Sequence, residues 1–146
     1  MISFEEASEA DFEELLALRL AAMRESLERL GRFDAERSRE RFLASFDARF
    51  TRHIRVDGRR VGFVVVKPTG EGLLLDHLYI HPESQGRRVG GDVLATVIAA
   101  AEAQGCTLFV TALRDSASNR FYQRHGFVVV SESDWDVHYR RPAAAR

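Results

Sequence analysis

Residues 73–113 restrict the fold more than any other part of the chain. Residues 73–80 form an apolar run broken by Asp76 and His77 and stopped by His81-Pro82, the pattern of a strand. Val89, Val93, Leu94, Val97, Ile98 and Ala101 then recur at helical spacing until Gly105. Residues 107–113 return to strand composition. A strand, a helix and a strand in that order predict parallel strands joined by a right-handed crossover. Such a unit needs a sheet that carries helices, which directs the whole chain to an α/β or α+β class.

The flanking segments extend that sheet. Residues 1–4 alternate like a short edge strand. Ser8-Glu9-Ala10-Asp11 resembles a capping box, and Phe12, Leu15, Leu16, Leu20, Met23, Leu27 and Leu30 follow as one apolar stripe on a helix of about five turns. Gly31 ends it. Asp34 caps a second helix carrying Phe42, Leu43 and Phe46. From His53 the period is two. Residues 53–56 and 60–66 flank Asp57-Gly58, a strong hairpin signal. Val61-Gly62-Phe63-Val64-Val65-Val66 is apolar on both faces and reads as a central strand. After the crossover, Asp115 or Ser116 caps a short helix through Arg124, and residues 127–130 and 135–139 read as a final strand pair. The expectation is a single domain over residues 1–140. It has a mixed central sheet of about seven strands and about four helices, and residues 141–146 form a frayed tail.

Composition agrees with one domain. A chain of 146 residues with 45% hydrophobic content buries about 68–70% of its unfolded surface and needs no disulfide or metal staple. Twenty-one basic and 22 acidic residues leave a net charge of −1, so nothing favours nucleic acid as the partner. The apolar stretch at 93–101 is too short and too Ala-rich to span a membrane. The first residues lack a basic and then apolar leader, so the expected compartment is the cytoplasm. The lone Cys106 excludes an internal disulfide and reads as a small packing residue at a helix-to-strand junction.

The chemistry concentrates in Leu78-Tyr79-Ile80-His81-Pro82-Glu83-Ser84-Gln85-Gly86-Arg87-Arg88-Val89-Gly90-Gly91-Asp92. It runs strand, turn, Gly-rich loop, helix start. Unpaired N–H groups and the helix dipole make that junction an anion cradle, and Arg87 and Arg88 add charge. Two rival phosphate motifs fail. Gly86 to Gly91 has P-loop spacing, but Asp92-Val93 stands where Lys and Ser/Thr belong. A dinucleotide fingerprint would need glycine at Arg88. A second segment, Asp115-Ser116-Ala117-Ser118-Asn119-Arg120-Phe121-Tyr122-Gln123-Arg124-His125-Gly126-Phe127, reads as a short helix, a glycine stop and a strand.

Together the segments resemble the GNAT superfamily of acyl-CoA-dependent N-acyltransferases. Gln85-Gly86-Arg87-Arg88-Val89-Gly90 sits where its cofactor signature Gln/Arg-x-x-Gly-x-Gly/Ala belongs, after a strand ending in Tyr-Ile-His-Pro. Phe121-Tyr122 followed by Gly126-Phe127 matches its second signature. The element order agrees along almost the whole chain. Arg88 departs from the pattern, standing at the first signature glycine. The usual carboxylate is absent from the strand 107–113, and Asn119 lies nearer the tyrosine than the family's asparagine does.

The resemblance implies acetyl-CoA as co-substrate and no metal. Its pyrophosphate would lie on Gln85, Gly86, Arg87, Arg88, Val89, Gly90, Gly91 and Asp92. Its pantetheine arm would follow Leu78, Tyr79 and Ile80, with Asn119 and Phe121 beside the cofactor. Tyr122 holds the family's position for the acid that protonates the leaving thiolate. A histidine titrates in the useful range, so His77 is the candidate base, with His138 and Asp136 behind it. Met23, Phe33, Phe42, Trp135 and Tyr139 are candidate pocket walls, and Arg24 and Arg41 candidate carboxylate binders. The expected activity is direct transfer of acetyl from acetyl-CoA to a primary amine of a small molecule or peptide. A non-catalytic acyl-CoA-binding module and a protein N-acetyltransferase are the alternatives. Neither nucleic acid nor membrane is an expected partner, and a homodimer is compatible with this reading.

Overall fold

The computed structural model describes residues 1–143. Seven strands form one mixed sheet: β1 (Ile2–Glu6), β2 (Thr51–Val56), β3 (Arg59–Thr69), β4 (Gly72–Ile80), β5 (Thr107–Leu113), β6 (Val128–Glu132) and β7 (Asp136–Arg141). Their order is β1-β2-β3-β4-β5-β7-β6. Four helices accompany them: α1 (Phe12–Arg29), α2 (Ala35–Ser45), α3 (Val89–Ala103) and α4 (Ser118–Arg124). The expected fold class and element count hold. β4 and β5 pair in parallel, Gly72–Leu75 against Thr107–Val110, as the crossover requires. Among the described residues no helix is long and apolar enough to cross a membrane.

The described residues divide into two compact units, residues 1–65 with 77–93 and residues 66–76 with 94 onward. In the first, the apolar stripe of α1 packs Phe12, Leu15 and Leu16 with Phe42 of α2 and Phe63 and Val65 of β3. Phe12 and Phe42 stack at 5.3 Å. β1 and β2 pair antiparallel, as do β2 and β3, and the 57–58 turn takes positive φ at both Asp57 and Gly58, the backbone of a two-residue hairpin. The β2–β3 register slips by one residue so that Val61 bulges. Its carbonyl accepts the His81 N–H at 2.7 Å and so ties the end of β4 to β3.

A polar knot closes the same unit. His53 is 1% exposed, and its Nε2 lies 3.0 Å from Asp11 Oδ2. A carboxylate only accepts, so the ring nitrogen donates. The Ser8 N–H donates to the same oxygen, completing the capping box. Arg60 ties Glu5 and Glu14 into the cluster. Hydrogen bonds from His53 first, then Ser8, hold the Asp11 carboxyl below the usual range. A depressed folded pKa stabilises above the unfolded value near 4 and is lost as the pH falls through it. Asp11→Ala should therefore cost about 1–3 kcal/mol at neutral pH, because a buried donor loses its acceptor. The difference from the parent should narrow as the pH falls below about 4, as read by denaturant unfolding at neutral pH and along a descending pH series.

The second unit buries Leu108, Val110, Ala112, Phe127, Val137 and Tyr139. β5 and β7 run antiparallel through Leu108↔Arg141 to Leu113↔Asp136. The final strands begin one residue later than expected and end later. Arg140 and Arg141 are thus strand residues, and Arg141 bonds the His125 carbonyl at 3.0 Å and Glu102 at 2.8 Å. The expected tail beginning at 141 loses its first residue to β7. Residues 144–146 of that tail lie outside the described residues.

Candidate functional site

β4 leads into the loop that the motif singled out. Tyr79 and Leu78 are half-buried and Ile80 is buried at the strand's end. Gly62 of β3 is what lets that end come close. A Cβ there would sit 2.3 Å from the Tyr79 carbonyl oxygen and 3.0 Å from Ile80 Cδ1. His81 Nδ1 accepts the Glu83 N–H at 3.2 Å, capping the short turn Pro82–Ser84. The Gln85 amide donates to the Ile80 carbonyl at 3.0 Å. The signature glutamine thus fastens the loop to the strand, and its part in the site is to position the loop.

Gly86 has φ +80° and Arg88 φ +63°, flanking Arg87. Left-handed residues alternating with right-handed ones aim successive amides toward one concavity. The first helical hydrogen bond runs from the Asp92 N–H to the Arg88 carbonyl at 3.0 Å. The N–H groups of Val89, Gly90 and Gly91 precede it and have no partner one turn back within the helix. Arg87 and Arg88 are exposed, and among the described residues neither has a carboxylate within ion-pair distance. Three unspent amides and two uncompensated guanidiniums are a cradle for a polyanion.

Arg88 takes a left-handed backbone, φ +63°, the region that favours glycine, at the cost of strain of about 1–3 kcal/mol. Arg88→Gly should release that strain and return part of it as unfolded-chain entropy. The expected net gain is about 0.5–1 kcal/mol, a rise of about 1–4 °C in the midpoint of thermal unfolding.

His77 belongs to an aromatic cluster in the first unit. Its ring centroid lies 5.5 Å from those of Phe42 and Tyr79 and 6.1 Å from that of Phe63. Its Nδ1 is 3.4 Å from the Tyr79 hydroxyl. Arg19, on α1, faces the same rings, with its guanidinium carbon 5.8 Å from the Phe42 centroid and 6.0 Å from that of Tyr79. Sequence reasoning passed over Arg19. The signal was present, for Arg19 follows Leu15 by four residues and Leu16 by three, which sets it on the apolar stripe itself.

In the second unit Tyr122 is buried, 6% exposed, with ring centroids 5.3 Å from Phe121, 5.5 Å from Phe127 and 6.3 Å from Tyr139. Phe121 is half-buried beside His125, at 4.9 Å. The Asn119 amide donates to the Leu113 and Ser116 carbonyls, both at 3.0 Å, and accepts the Tyr139 hydroxyl at 2.7 Å. Burial pushes the Tyr139 phenol up, which keeps it a donor. Asn119 therefore holds the turn before α4 with its whole carboxamide. Neither Asp115 nor Ser116 caps α4: the N-cap is Ala117, and Asp115 takes φ +65° in the turn.

Several expected pocket walls lie elsewhere. Arg24 pairs with Glu28 and covers the Phe33 ring at 4.7 Å. Arg41 is exposed and Met23 half-buried on its helix. Trp135 is 45% exposed, and Tyr139 is spent on Asn119. Phe42 is core, 1% exposed, and enters the site only through the face it shows His77. His138 Nδ1 lies 2.9 Å from the Thr111 hydroxyl, and Asp136 is half-buried at the start of β7.

Comparison with known proteins now bears on this arrangement. A search of curated proteins finds no match. Solved structures match in number. The PaiA N-acetyltransferase from Thermoplasma acidophilum, in complex with coenzyme A, superposes with TM-score 0.78 at 16% identity, over 97% of this chain and 99% of that one. A GCN5-related N-acetyltransferase from Rhodopseudomonas palustris gives 0.75 at 22%, over 96% and 94%. The ribosomal-protein-S18-alanine N-acetyltransferase from Escherichia coli gives 0.74 at 16%, over 100% and 97%. At such identities the likeness is one of fold. The family model for the acetyltransferase (GNAT) domain matches residues 48–129, more than half of the chain and both signature segments. On that match the chain belongs to the GNAT acetyltransferase family.

Proposed function

We propose that the protein transfers acetyl from acetyl-CoA to a primary amine by direct attack. The observation that carries this reading is the loop after β4, where, among the described residues, the Val89, Gly90 and Gly91 amides have no helical partner and the Arg87 and Arg88 guanidiniums no carboxylate. That donor set suits a pyrophosphate, and the backbone of Leu78, Tyr79 and Ile80 leads straight from it along β4.

Acetyl-CoA supplies the acyl group as a thioester. His77 in its neutral form takes a proton from the attacking amine nitrogen, and the aromatic walls of Phe42, Phe63 and Tyr79 shield that transfer from water. A backbone N–H at Leu78–Ile80 receives the negative charge that grows on the carbonyl oxygen. As the C–N bond forms and the C–S bond breaks, Tyr122 gives its hydroxyl proton to the departing sulfur. Proton uptake at one residue and release at the other leave the amide and the free thiol as products.

The test pairs calorimetric binding of acetyl-CoA with continuous detection of CoA release over a panel of amines. Wild type should bind and turn over. Gly90→Val should weaken acetyl-CoA binding by 10-fold or more, because a β-branched side chain would crowd the first turn of α3. Arg88→Gly should weaken it less, and mainly at low ionic strength, where an exposed ion pair counts most. Undiminished binding by Gly90→Val would remove the loop from the reading.

A further inference from the structure

Arg19 differs from the ion-paired arginines. Arg24, Arg39, Arg49, Arg60, Arg114 and Arg141 each have a carboxylate within ion-pair distance. Among the described residues Arg19 has none. Its one directed contact is a long bond from a terminal guanidinium nitrogen to the Ser38 carbonyl, 3.4 Å. Its Nε is buried and has no hydrogen-bond partner. A guanidinium that gives up hydration without gaining an anion is costly, and the surrounding Phe42 and Tyr79 rings return only part of that cost through cation–π contact. The arrangement is accounted for if the anion arrives with a ligand.

The position names the ligand. Phe42 and Tyr79 are the two rings that Arg19 shares with His77, whose centroid is 5.5 Å from each. One molecule seated against Tyr79, the half-buried ring that Arg19 and His77 share, would have an anionic end at Arg19 and an amine near His77. We propose that Arg19 binds the carboxylate of the acceptor, which makes the substrate class amines that carry a carboxylate, as amino acids do. The planar fork of a guanidinium matches a carboxylate in two parallel hydrogen bonds, and aromatic walls strengthen both by lowering the local dielectric. This inference rests on the acetyltransferase reading above.

The experiment compares amino acids with their carboxamides and with the amines left after decarboxylation. Acceptors are tested with saturating acetyl-CoA against wild type, Arg19→Gln and Arg19→Lys. Taking each acceptor as its own reference cancels differences in intrinsic amine reactivity. In wild type the ratio of kcat/KM for the acid to that for its uncharged partners should be high. It should fall about 10–100-fold in Arg19→Gln, the worth of a charged hydrogen-bonded contact, and recover in part in Arg19→Lys. A wild type without carboxylate preference, or an Arg19→Gln enzyme that keeps it, overturns the proposal while turnover of amines leaves the acetyltransferase reading standing. Failure to bind acetyl-CoA, together with failure to release CoA with any amine, overturns both.

Discussion

Gly62→Val should be strongly destabilising. A Cβ at residue 62 would lie 2.3 Å from the Tyr79 carbonyl oxygen and 3.3 Å from the Ile80 Cα. Both are backbone atoms, so no rotamer change relieves the clash and the strand must move. Overpacking against a side chain costs about 1–3 kcal/mol. Against backbone the expected cost is about 3 kcal/mol or more, a fall of about 10 °C in the midpoint of thermal unfolding. Gly62→Ala should show most of the effect, since the offending atom is the Cβ itself. Gly70→Ala is the control, because a Cβ at Gly70 meets nothing within 4 Å. The displaced atoms belong to Tyr79 and Ile80, whose carbonyl at Ile80 also anchors Gln85. Protein that still folds should therefore bind acetyl-CoA more weakly than Gly70→Ala does. Equal unfolding midpoints for the Gly62 and Gly70 alanine variants would refute the close approach.

The same glycine shows where a sequence stops being legible. Within 61–66 the apolar run announces a central strand, and Gly62 to Val65 are indeed buried. Nothing in the run says that a neighbouring carbonyl crosses over residue 62, because that is a property of two strands. The loop after β4 was legible for the opposite reason: a glycine-rich turn opening a helix puts unpaired amides in one place whatever surrounds it. Arg88 was legible only as a departure. Its φ of +63° lies in the left-handed region that favours glycine. The start of α4 misled because Asp115 and Ser116 have the right chemistry for a cap, whereas the turn is held from inside the helix by Asn119 and from β7 by Tyr139. The roles of Asn119 and Arg19 both depend on partners distant in the chain, Tyr139 for one and Phe42 and Tyr79 for the other.

Tyr122→Phe should lower kcat by about 10²–10⁴-fold, the usual worth of a positioned acid or base, with acetyl-CoA affinity little changed. The case rests on separating what the ring does from what the hydroxyl does. The ring is 6% exposed and packs against Phe121, Phe127 and Tyr139. Phenylalanine keeps those contacts, so the unfolding midpoint reports whether the scaffold is intact. Tyr122→Ala removes ring and hydroxyl together and should cost about 3–5 kcal/mol of stability, as for loss of a buried aromatic. A phenol is a fitting donor for a departing thiolate, since its ordinary pKa near 10 is only about 1.5 units above that of a thiol. Replacing the thiolate leaving group by a more acidic one would reduce the need for a donor. An activated acetyl thioester of low thiol pKa should therefore narrow the gap between Tyr122→Phe and wild type, whereas a purely structural tyrosine would leave it unchanged. A folded Tyr122→Phe protein with wild-type kcat, under conditions where chemistry limits turnover, would assign the proton to another residue or to water.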